Sequence, residues 1–178
     1  MDYIIRKAQL HDRAAIEALI AESARGLSRA DYSEQQIEVA IMTVFGVDTT
    51  LILDDTYFVA EGDGNVIGCG GWSKRRTLFG GDQFASRDPS RLDPQTEPAK
   101  IRAFFVHPKW SRKGIARAIL SRCESEARAH GFKFLELMAT LPGVPLYQAY
   151  GFEGSRQIDY EMQDGVTLEL VPMRKRLE

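Results

Sequence analysis

FFVHPKWSRKGIAR, residues 104–117, takes the chain from an apolar strand through a turn and into a helix. The amino end of a helix offers unpaired backbone N–H groups and the positive end of the helix dipole, and such an end binds phosphate. Gly114 lets a phosphate approach the backbone without a Cβ in the way, and Ala116 keeps the same face small. Three basic side chains flank the turn: Arg112, Lys113 and Arg117. The stretch predicts a phosphate-binding turn, although an isolated Gly-x-Ala would more often be an ordinary connection.

Strand and helix signals on both sides of this stretch give the element order β α α β β β α β α β β. Predicted strands cover residues 3–6, 56–61, 66–74, 99–106, 132–139, 157–162 and 166–173, and predicted helices follow residues 12, 33, 113 and 144. Because the strands come in pairs instead of alternating strictly with helices, a doubly wound parallel sheet is disfavoured. We predict an α/β fold in one domain over residues 1–178, with a mixed, largely antiparallel central sheet flanked by helices.

Turn and cap signals support these boundaries. Residues 62–65 (GDGN) and 163–165 (QDG) are rich in residues that tolerate positive φ, and each predicts a hairpin turn. Ser33 with Gln36 three residues later has the form of a capping box, and Asp12 can cap the first helix.

A long loop is predicted over residues 77–98. Turn-forming pairs divide the segment at Gly80-Gly81, Asp88-Pro89, Asp93-Pro94 and Glu97-Pro98. Loops of this length in compact domains are often functional lids or else disordered, and the sequence leaves both interpretations open.

The composition excludes some classes of protein. With a formal net charge of −2 over 178 residues, the chain lacks the basic excess of a protein that covers phosphate backbones, so nucleic acid is not an expected partner. No stretch approaches the roughly 20 apolar residues of a membrane span, and the first residues, MDYIIRK, have no apolar signal core. We therefore expect a cytoplasmic protein without a membrane partner.

The cysteines and histidines do not indicate a metal or redox site. Cys69 and Cys123 are predicted to be small buried side chains in a reducing compartment, without a disulfide. His107 precedes a proline and is expected to stabilise the turn instead of acting in catalysis, while His11 and His130 are expected at helix ends. Without companion ligands, these three residues predict no metal site.

Two motifs resemble those of a known family. Val106-x-Pro-x-Trp-x-x-Lys-Gly-Ile-Ala-Arg117 is similar to motif A of the GNAT superfamily of N-acetyltransferases, and Leu146-Tyr147-x-x-Tyr-Gly-Phe152 is similar to its closing motif B. The predicted order of elements is also the family's order, so the resemblance spans nearly the whole chain. It implies the GNAT-like acyl-CoA N-acyltransferase fold and acetyl-CoA as the cofactor.

The resemblance also implies how the cofactor is held. Backbone amides from Arg112 to Arg117 would cradle the CoA pyrophosphate, and the main chain of residues 104–106 would pair with the pantetheine arm like an added strand. The implied cofactor-binding set is Phe104, Phe105, Val106, Ser111, Arg112, Lys113, Gly114, Ile115, Ala116 and Arg117. This chain departs from the family pattern at Ser111, where the family has Gln or Arg, and at Thr140 and Gly143, where many members have Asn and Ala.

The predicted chemistry needs a base, an oxyanion donor and an acid. An alkyl amine has a pKa of about 10 and must lose a proton before it attacks a thioester. Glu136 is the candidate base, although a solvent-facing strand carboxylate is the alternative. By the resemblance, an oxyanion is stabilised by main chain near Val106. Tyr147 holds the place of the family's general acid, which protonates the leaving thiolate, and its alternative is a packed aromatic side chain.

The acceptor is less well defined. The resemblance places it between the first two helices and the later strands, which implicates Leu27, Tyr32, Trp72 and the loop after Arg75. Tyr32 and Trp72 are as well explained by core packing. Arg75 and Arg76 either meet an acidic group of the acceptor or form a solvated charged edge.

We therefore predict an acetyl-CoA-dependent N-acetyltransferase that acts on a primary amine of a small molecule or of a protein. The alternatives are a domain that binds or senses acyl-CoA without turnover, and a nucleotide-binding protein. The second is disfavoured because the sequence contains neither Gly-x-x-x-x-Gly-Lys-Ser/Thr nor Gly-x-Gly-x-x-Gly. The sequence leaves the assembly state open, a homodimer included.

Overall fold

A central β-sheet organises the chain in the computed structural model, which describes residues 2–178. Its strands are β1 (Ile4–Lys7), β2 (Tyr57–Gly62), β3 (Asn65–Ser73), β4 (Ala99–Val106), β5 (Phe134–Thr140), β6 (Ile158–Glu161) and β7 (Thr167–Arg176). The helices are α1 (Arg13–Leu27), α2 (Glu34–Thr43), α3 (Thr49–Leu53), α4 (Ile115–Ala129) and α5 (Val144–Tyr150). Short 3₁₀ turns cover Leu10–Asp12, Pro108–Trp110, Leu141–Gly143 and Gln163–Gly165.

The strand order in the described residues is β1-β2-β3-β4-β5-β7-β6. The pair β4–β5 is parallel, and the other neighbouring pairs are antiparallel. The prediction of an α/β fold with a mixed, largely antiparallel sheet is therefore confirmed. Helix α3, which has only five residues, was not predicted because it is too short to show a helical period.

The two predicted hairpins are present. Between β2 and β3, Asp63 (φ 51°) and Gly64 (φ 73°) form the turn, and between β6 and β7 the same conformation occurs at Asp164 (φ 56°) and Gly165 (φ 71°). Two successive residues with positive φ match the right-handed twist of the flanking strands.

One predicted cap is confirmed and one is wrong. Ser33 Oγ accepts from the Gln36 N–H at 3.1 Å, and Gln36 Oε1 accepts from the Ser33 N–H at 2.9 Å. Asp12 lies at the N-cap position of α1, but its side chain makes no capping bond to that helix. Its carboxylate instead accepts from the Gln9 N–H and from both terminal nitrogens of Arg6. The guanidinium of Arg6 was available as a charged partner, and charge-assisted bonds are the stronger ones.

Hydrophobic clusters cover the two faces of the sheet. Along β2, Phe58 and Ala60 join the cluster that contains α4, whereas Tyr57 and Val59 join the cluster that contains α1 and α2, as expected from strand alternation. Cys69 and Cys123 are buried and form no disulfide within the described residues, which confirms their interpretation as small core side chains. No helix among residues 2–178 is both long enough and apolar enough to span a membrane.

Strand β4 is distorted at the centre of the sheet. Ala103 has a φ of 54°, and the pairing of β4 with β3 shifts register beside it, which is the signature of a β-bulge. On its other side, β4 pairs with β5 only at Ala99–Leu135 and Lys100–Glu136. Beyond this point β5 continues to pair with β7, so the two parallel strands separate and open a gap in the sheet.

Candidate active site

The turn between β4 and α4 is built by local contacts. His107 Nδ1 accepts from the Lys109 N–H at 3.1 Å, which confirms the predicted role of this histidine in stabilising the turn. Ser111 Oγ donates to the Pro108 carbonyl at 2.9 Å. Arg112 (φ 60°) and Gly114 (φ 82°) then reverse the chain so that α4 begins at residue 115.

Gly114 serves this turn mainly through its conformation. A Cβ built at this position would meet nothing within 4 Å, but the φ of 82° lies in the region that side chains other than glycine rarely adopt. The main chain at the start of α4 therefore faces open space. The first N–H groups of α4 have no hydrogen-bond partner within the helix itself.

A cleft of about 660 Å³ lies beside this turn. Four structural units form its walls: α1, the second half of β4, the amino end of α4, and α5 with the 3₁₀ turn before it. The predicted cofactor residues that line the cleft are Phe104, Phe105, Val106, Ser111, Arg112, Gly114, Ile115, Ala116 and Arg117. Lys113 is the exception: its ammonium lies 5.0 Å from the centre of the Trp110 ring.

Val106, the expected oxyanion donor, has a partner that the sequence did not indicate. Its N–H donates to Ser23 Oγ at 3.3 Å, a distance at the long end for a hydrogen bond. Ser23 belongs to α1, is buried and lines the cleft. The sequence feature that could have indicated this contact is a serine within the apolar stripe of a helix.

Tyr147 lies where the cleft meets the gap between β4 and β5. Its ring packs edge-on against Phe104, with centroids 6.4 Å apart, and against Phe152 at 5.8 Å. A Cβ at Gly143 would lie 3.1 Å from Tyr147 Cε2, so glycine at this position leaves room for the ring. Burial raises the pKa of the Tyr147 phenol well above its ordinary value, which keeps the proton on the oxygen. No hydrogen bond involves this hydroxyl within residues 2–178.

A second, smaller cavity of about 80 Å³ adjoins the cleft. The two cavities share Phe45, Phe104, Phe105, Thr140 and Tyr147. The far wall of the small cavity comes from residues 78–81, which belong to the long loop, and from Met138 and Leu170. Tyr147 therefore faces both a large cleft and a small cavity.

Glu136, the candidate base, does not line either cavity. Its carboxylate forms an ion pair with the ammonium of Lys100, its register partner on β4, at the end where the two strands are still paired. This geometry gives Glu136 a structural role and does not bring it to Tyr147. Among residues 2–178, no aspartate, glutamate or histidine lines either cavity, and no group of such residues could hold a metal ion.

Other residues considered for the acceptor have different surroundings. Leu27 lines the large cleft. Trp72 is buried and donates from Nε1 to Glu126 at 2.9 Å, and Tyr32 donates to the Glu169 carbonyl at 2.6 Å. Arg75 forms a two-bond ion pair with Asp54, as Arg76 does with Glu97. Trp72 and Tyr32 are thus core residues, and both arginines are neutralised by carboxylates.

A buried ionic network beneath the small cavity was not predicted. Arg102 Nη2 lies 2.9 Å from Asp48 Oδ2 and also donates to the Gly80 carbonyl at 2.6 Å. Arg87 donates to Asp48 Oδ1 at 2.7 Å and to the Gly81 carbonyl at 2.8 Å. The loop, which was predicted either as a lid or as disordered, is tied to β4 and α3 through these bonds. The sequence feature that could have indicated this network is an arginine inside the apolar strand that precedes the turn.

Comparisons with known proteins agree with this fold. A family model described as "Acetyltransferase (GNAT) family" matches residues 15–152. A GCN5-related N-acetyltransferase from Rhodopseudomonas palustris has a TM-score of 0.73 at 18% identity, covering 99% of this chain and 97% of that chain. No functionally curated protein matches the chain in sequence.

Two further structures of this fold were determined with a cofactor. The PaiA N-acetyltransferase from Thermoplasma acidophilum, in complex with coenzyme A, gives a TM-score of 0.67 at 16% identity, covering 99% of this chain and 100% of that chain. YncA, a putative acetyltransferase from Salmonella typhimurium with its cofactor acetyl-CoA, gives 0.64 at 20% identity, covering 100% of this chain and 95% of that chain. At these identities, the likeness establishes the fold.

Proposed function

Because the chain belongs to the GNAT family of acetyltransferases, we propose that it transfers the acetyl group of acetyl-CoA to a primary amine. The cofactor occupies the large cleft, and the acceptor amine enters the small cavity. The observation that carries this proposal is the position of Tyr147, whose buried phenol lines both cavities where they meet.

The residues of the cleft fit the cofactor. The amino end of α4 offers unpaired N–H groups and the positive end of the helix dipole to a pyrophosphate, with Arg112 and Arg117 on the same wall. The edge of β4 that faces the gap is free of a strand partner beyond Lys100 within the described chain, so its main chain can pair with the pantetheine amides. When bound, acetyl-CoA supplies the thioester carbonyl and the thiolate leaving group.

The residues of this chain would act on protons and on position. Tyr147 holds a phenolic proton that it can donate to a thiolate, since burial keeps the hydroxyl protonated. The Val106 N–H points to the cleft, where it can exchange its long bond to Ser23 Oγ for a bond to a developing oxyanion. With no acidic or imidazole group in either lining of the described chain, the proton of the amine leaves through water in the open cleft.

Two glycines provide a matched test of the cofactor site. Gly114 (φ 82°) and Gly165 (φ 71°) have similar conformations, and a Cβ at either would meet nothing within 4 Å, but Gly165 lies in the β6–β7 hairpin. Gly114→Val and Gly165→Val should therefore cost similar stability, of roughly 1–2 kcal/mol. We expect acetyl-CoA to raise the Tm of the wild type and of Gly165→Val, and to lose most of this effect in Gly114→Val. Equal shifts in all three proteins would contradict the assignment of the cleft.

A further inference from the structure

The walls of the small cavity define the chemistry of what it can hold. We propose that this cavity selects a small monoamine with an apolar body and rejects amines that carry a second positive charge. The inference rests on the proposed function, because it assigns a substrate class to the acceptor side of the same site. Three features of the cavity support it: the apolar side chains in its lining, the charge of the network beneath it, and its size.

Apolar side chains form somewhat more than half of the lining, and polar groups form the rest. The apolar side chains come from the residues that follow α2, from the long loop, and from β4, β5 and β7: Val44, Phe45, Leu78, Phe79, Phe105, Met138 and Leu170. These side chains favour methylene and aromatic groups and offer no partner to an ammonium group. We therefore expect the body of the amine that lies beyond the reacting nitrogen to be apolar.

The charge nearest the cavity is positive. Among the residues that the structure describes, Arg102 is the one charged side chain that lines the cavity. It shares the single carboxylate of Asp48 with Arg87. Arg102 Nε is also the one buried side-chain nitrogen or oxygen among residues 2–178 without a hydrogen-bond partner. An ammonium group has only donors and carries the same charge as Arg102, so this side chain repels it and offers it no acceptor.

The acidic residues next in sequence to the lining are directed elsewhere. Asp82 follows Gly81, but its carboxylate accepts from the Thr49 N–H and hydroxyl, 2.9 and 2.6 Å away, and pairs with Arg13. Glu169 precedes Leu170, and its carboxylate accepts from Gln36 Nε2 at 3.0 Å. Glu136 precedes Leu137, and its carboxylate pairs with the ammonium of Lys100. None of these three carboxylates is placed to neutralise a second ammonium inside the cavity.

The size of the cavity limits the acceptor. A volume of 80 Å³ holds roughly five to eight water-sized groups, since one such group occupies about 10–15 Å³ on the same measure. The loop wall is fixed by several bonds: Gly80 and Gly81 carbonyls accept from Arg102 and Arg87, and the Gly81 N–H donates to the Val44 carbonyl at 2.8 Å. The wall is therefore part of the folded structure.

Two amines of equal size test the proposal. Hexylamine and 1,5-diaminopentane have the same number of non-hydrogen atoms and differ in whether the far end is a methyl or an ammonium group. We expect kcat/KM with acetyl-CoA at pH 8 to be at least about 30-fold higher for hexylamine. Equal values, or a preference for the diamine, would overturn the proposal. So would transfer to neither amine when a bulkier amine or a peptide amino terminus is acetylated.

A charge introduced into the wall of the small cavity provides an independent test of the proposal. Phe79→Asp puts a carboxylate in the lining, and Met42→Asp adds the same charge at an exposed position on α2. We expect Phe79→Asp to reduce the preference for hexylamine at least about tenfold, and Met42→Asp to leave it unchanged. An unchanged preference in a folded Phe79→Asp protein would contradict the proposal, and if that variant does not fold, the wild-type comparison decides. Failure of the wild type to acetylate any amine would refute the proposed function itself.

Discussion

Asp48 and Arg102 form an ion pair in which each side chain is only 2% exposed to solvent. Asp48 caps α3 by accepting from the Thr50 N–H, and Arg102 lies in β4 two residues before Phe104. The pair therefore joins a short helix, the central strand and the loop that walls the small cavity. A buried ion pair adds little when complete, but loss of one partner leaves an uncompensated charge.

Removal of the Asp48 charge should destabilise the fold. We expect Asp48→Asn to lower the free energy of unfolding by about 3–5 kcal/mol, because the Arg102 guanidinium would remain buried without a carboxylate. Equilibrium urea unfolding measures this. Glu38→Gln is the matched control, since Glu38 pairs with Arg25 at the surface, and its urea midpoint should equal that of the wild type. Similar urea midpoints for both variants would show that the buried pair contributes no more to stability than the surface pair.

The loop wall should respond to a change at Arg87. This residue does not line the small cavity but holds the Gly81 carbonyl and Asp48. We expect Arg87→Gln to raise the KM of the acceptor by about tenfold through misplacement of the wall, while the KM of acetyl-CoA stays unchanged. Arg76→Gln is the control at the other end of the same loop, where Arg76 pairs with Glu97, and it should change neither constant. Equal effects on both substrates would indicate a general loss of folding.

Tyr147 should be required for turnover but not for binding. We expect Tyr147→Phe to lower kcat on the order of 10²- to 10⁴-fold, because the leaving thiolate loses its proton donor. The affinity for acetyl-CoA and the Tm should change little, since the ring and its contacts with Phe104 and Phe152 remain. Tyr150→Phe, in the same helix and outside both cavity linings, should retain full activity. A fully active Tyr147→Phe protein would remove Tyr147 from the mechanism.

The pH dependence of kcat/KM should follow the deprotonation of the amine and not that of Tyr147. Burial disfavours the phenolate and raises the pKa of Tyr147, so its proton stays in place to higher pH than in free tyrosine. An alkylamine with a pKa of about 10.4 becomes about tenfold more reactive per pH unit between pH 7 and 9. We expect kcat/KM for hexylamine to rise through this range and to show no decline up to pH 10. A decline above pH 8.5, with the Tm unchanged, would contradict this assignment of the acid.

Local signals in the sequence predicted most of the fold. The stretch from Phe104 to Arg117, the capping box at Ser33 and both hairpin turns are determined by residues within a few positions of one another, and all are present in the structure. The helix α3 was missed because its five residues carry no periodic pattern, and its end is fixed by Asp48, whose partners are distant.

Contacts between distant residues explain what the sequence could not predict. Asp48 and Arg102 are 54 positions apart, and no local pattern pairs them. Glu136 alternates as expected along β5, but the face it occupies also carries Lys100, whose buried ammonium takes up its carboxylate. Ser23 meets Val106 only because α1 packs beside β4. The wall of the large cleft at β4 and α4 was therefore predictable from one segment, whereas the walls of the small cavity depend on tertiary packing.

The most direct test of the proposed function is the amine-dependent release of CoA thiol from acetyl-CoA by the wild-type protein, with the acetylated amine identified by mass spectrometry. We predict saturable release with hexylamine that disappears when the amine is omitted and falls with Tyr147→Phe. The proposal would be contradicted if acetyl-CoA binds and raises the Tm but no amine supports the release of thiol above background. The panel of amines tested should include peptide amino termini. The protein would then be an acyl-CoA-binding domain without transferase activity.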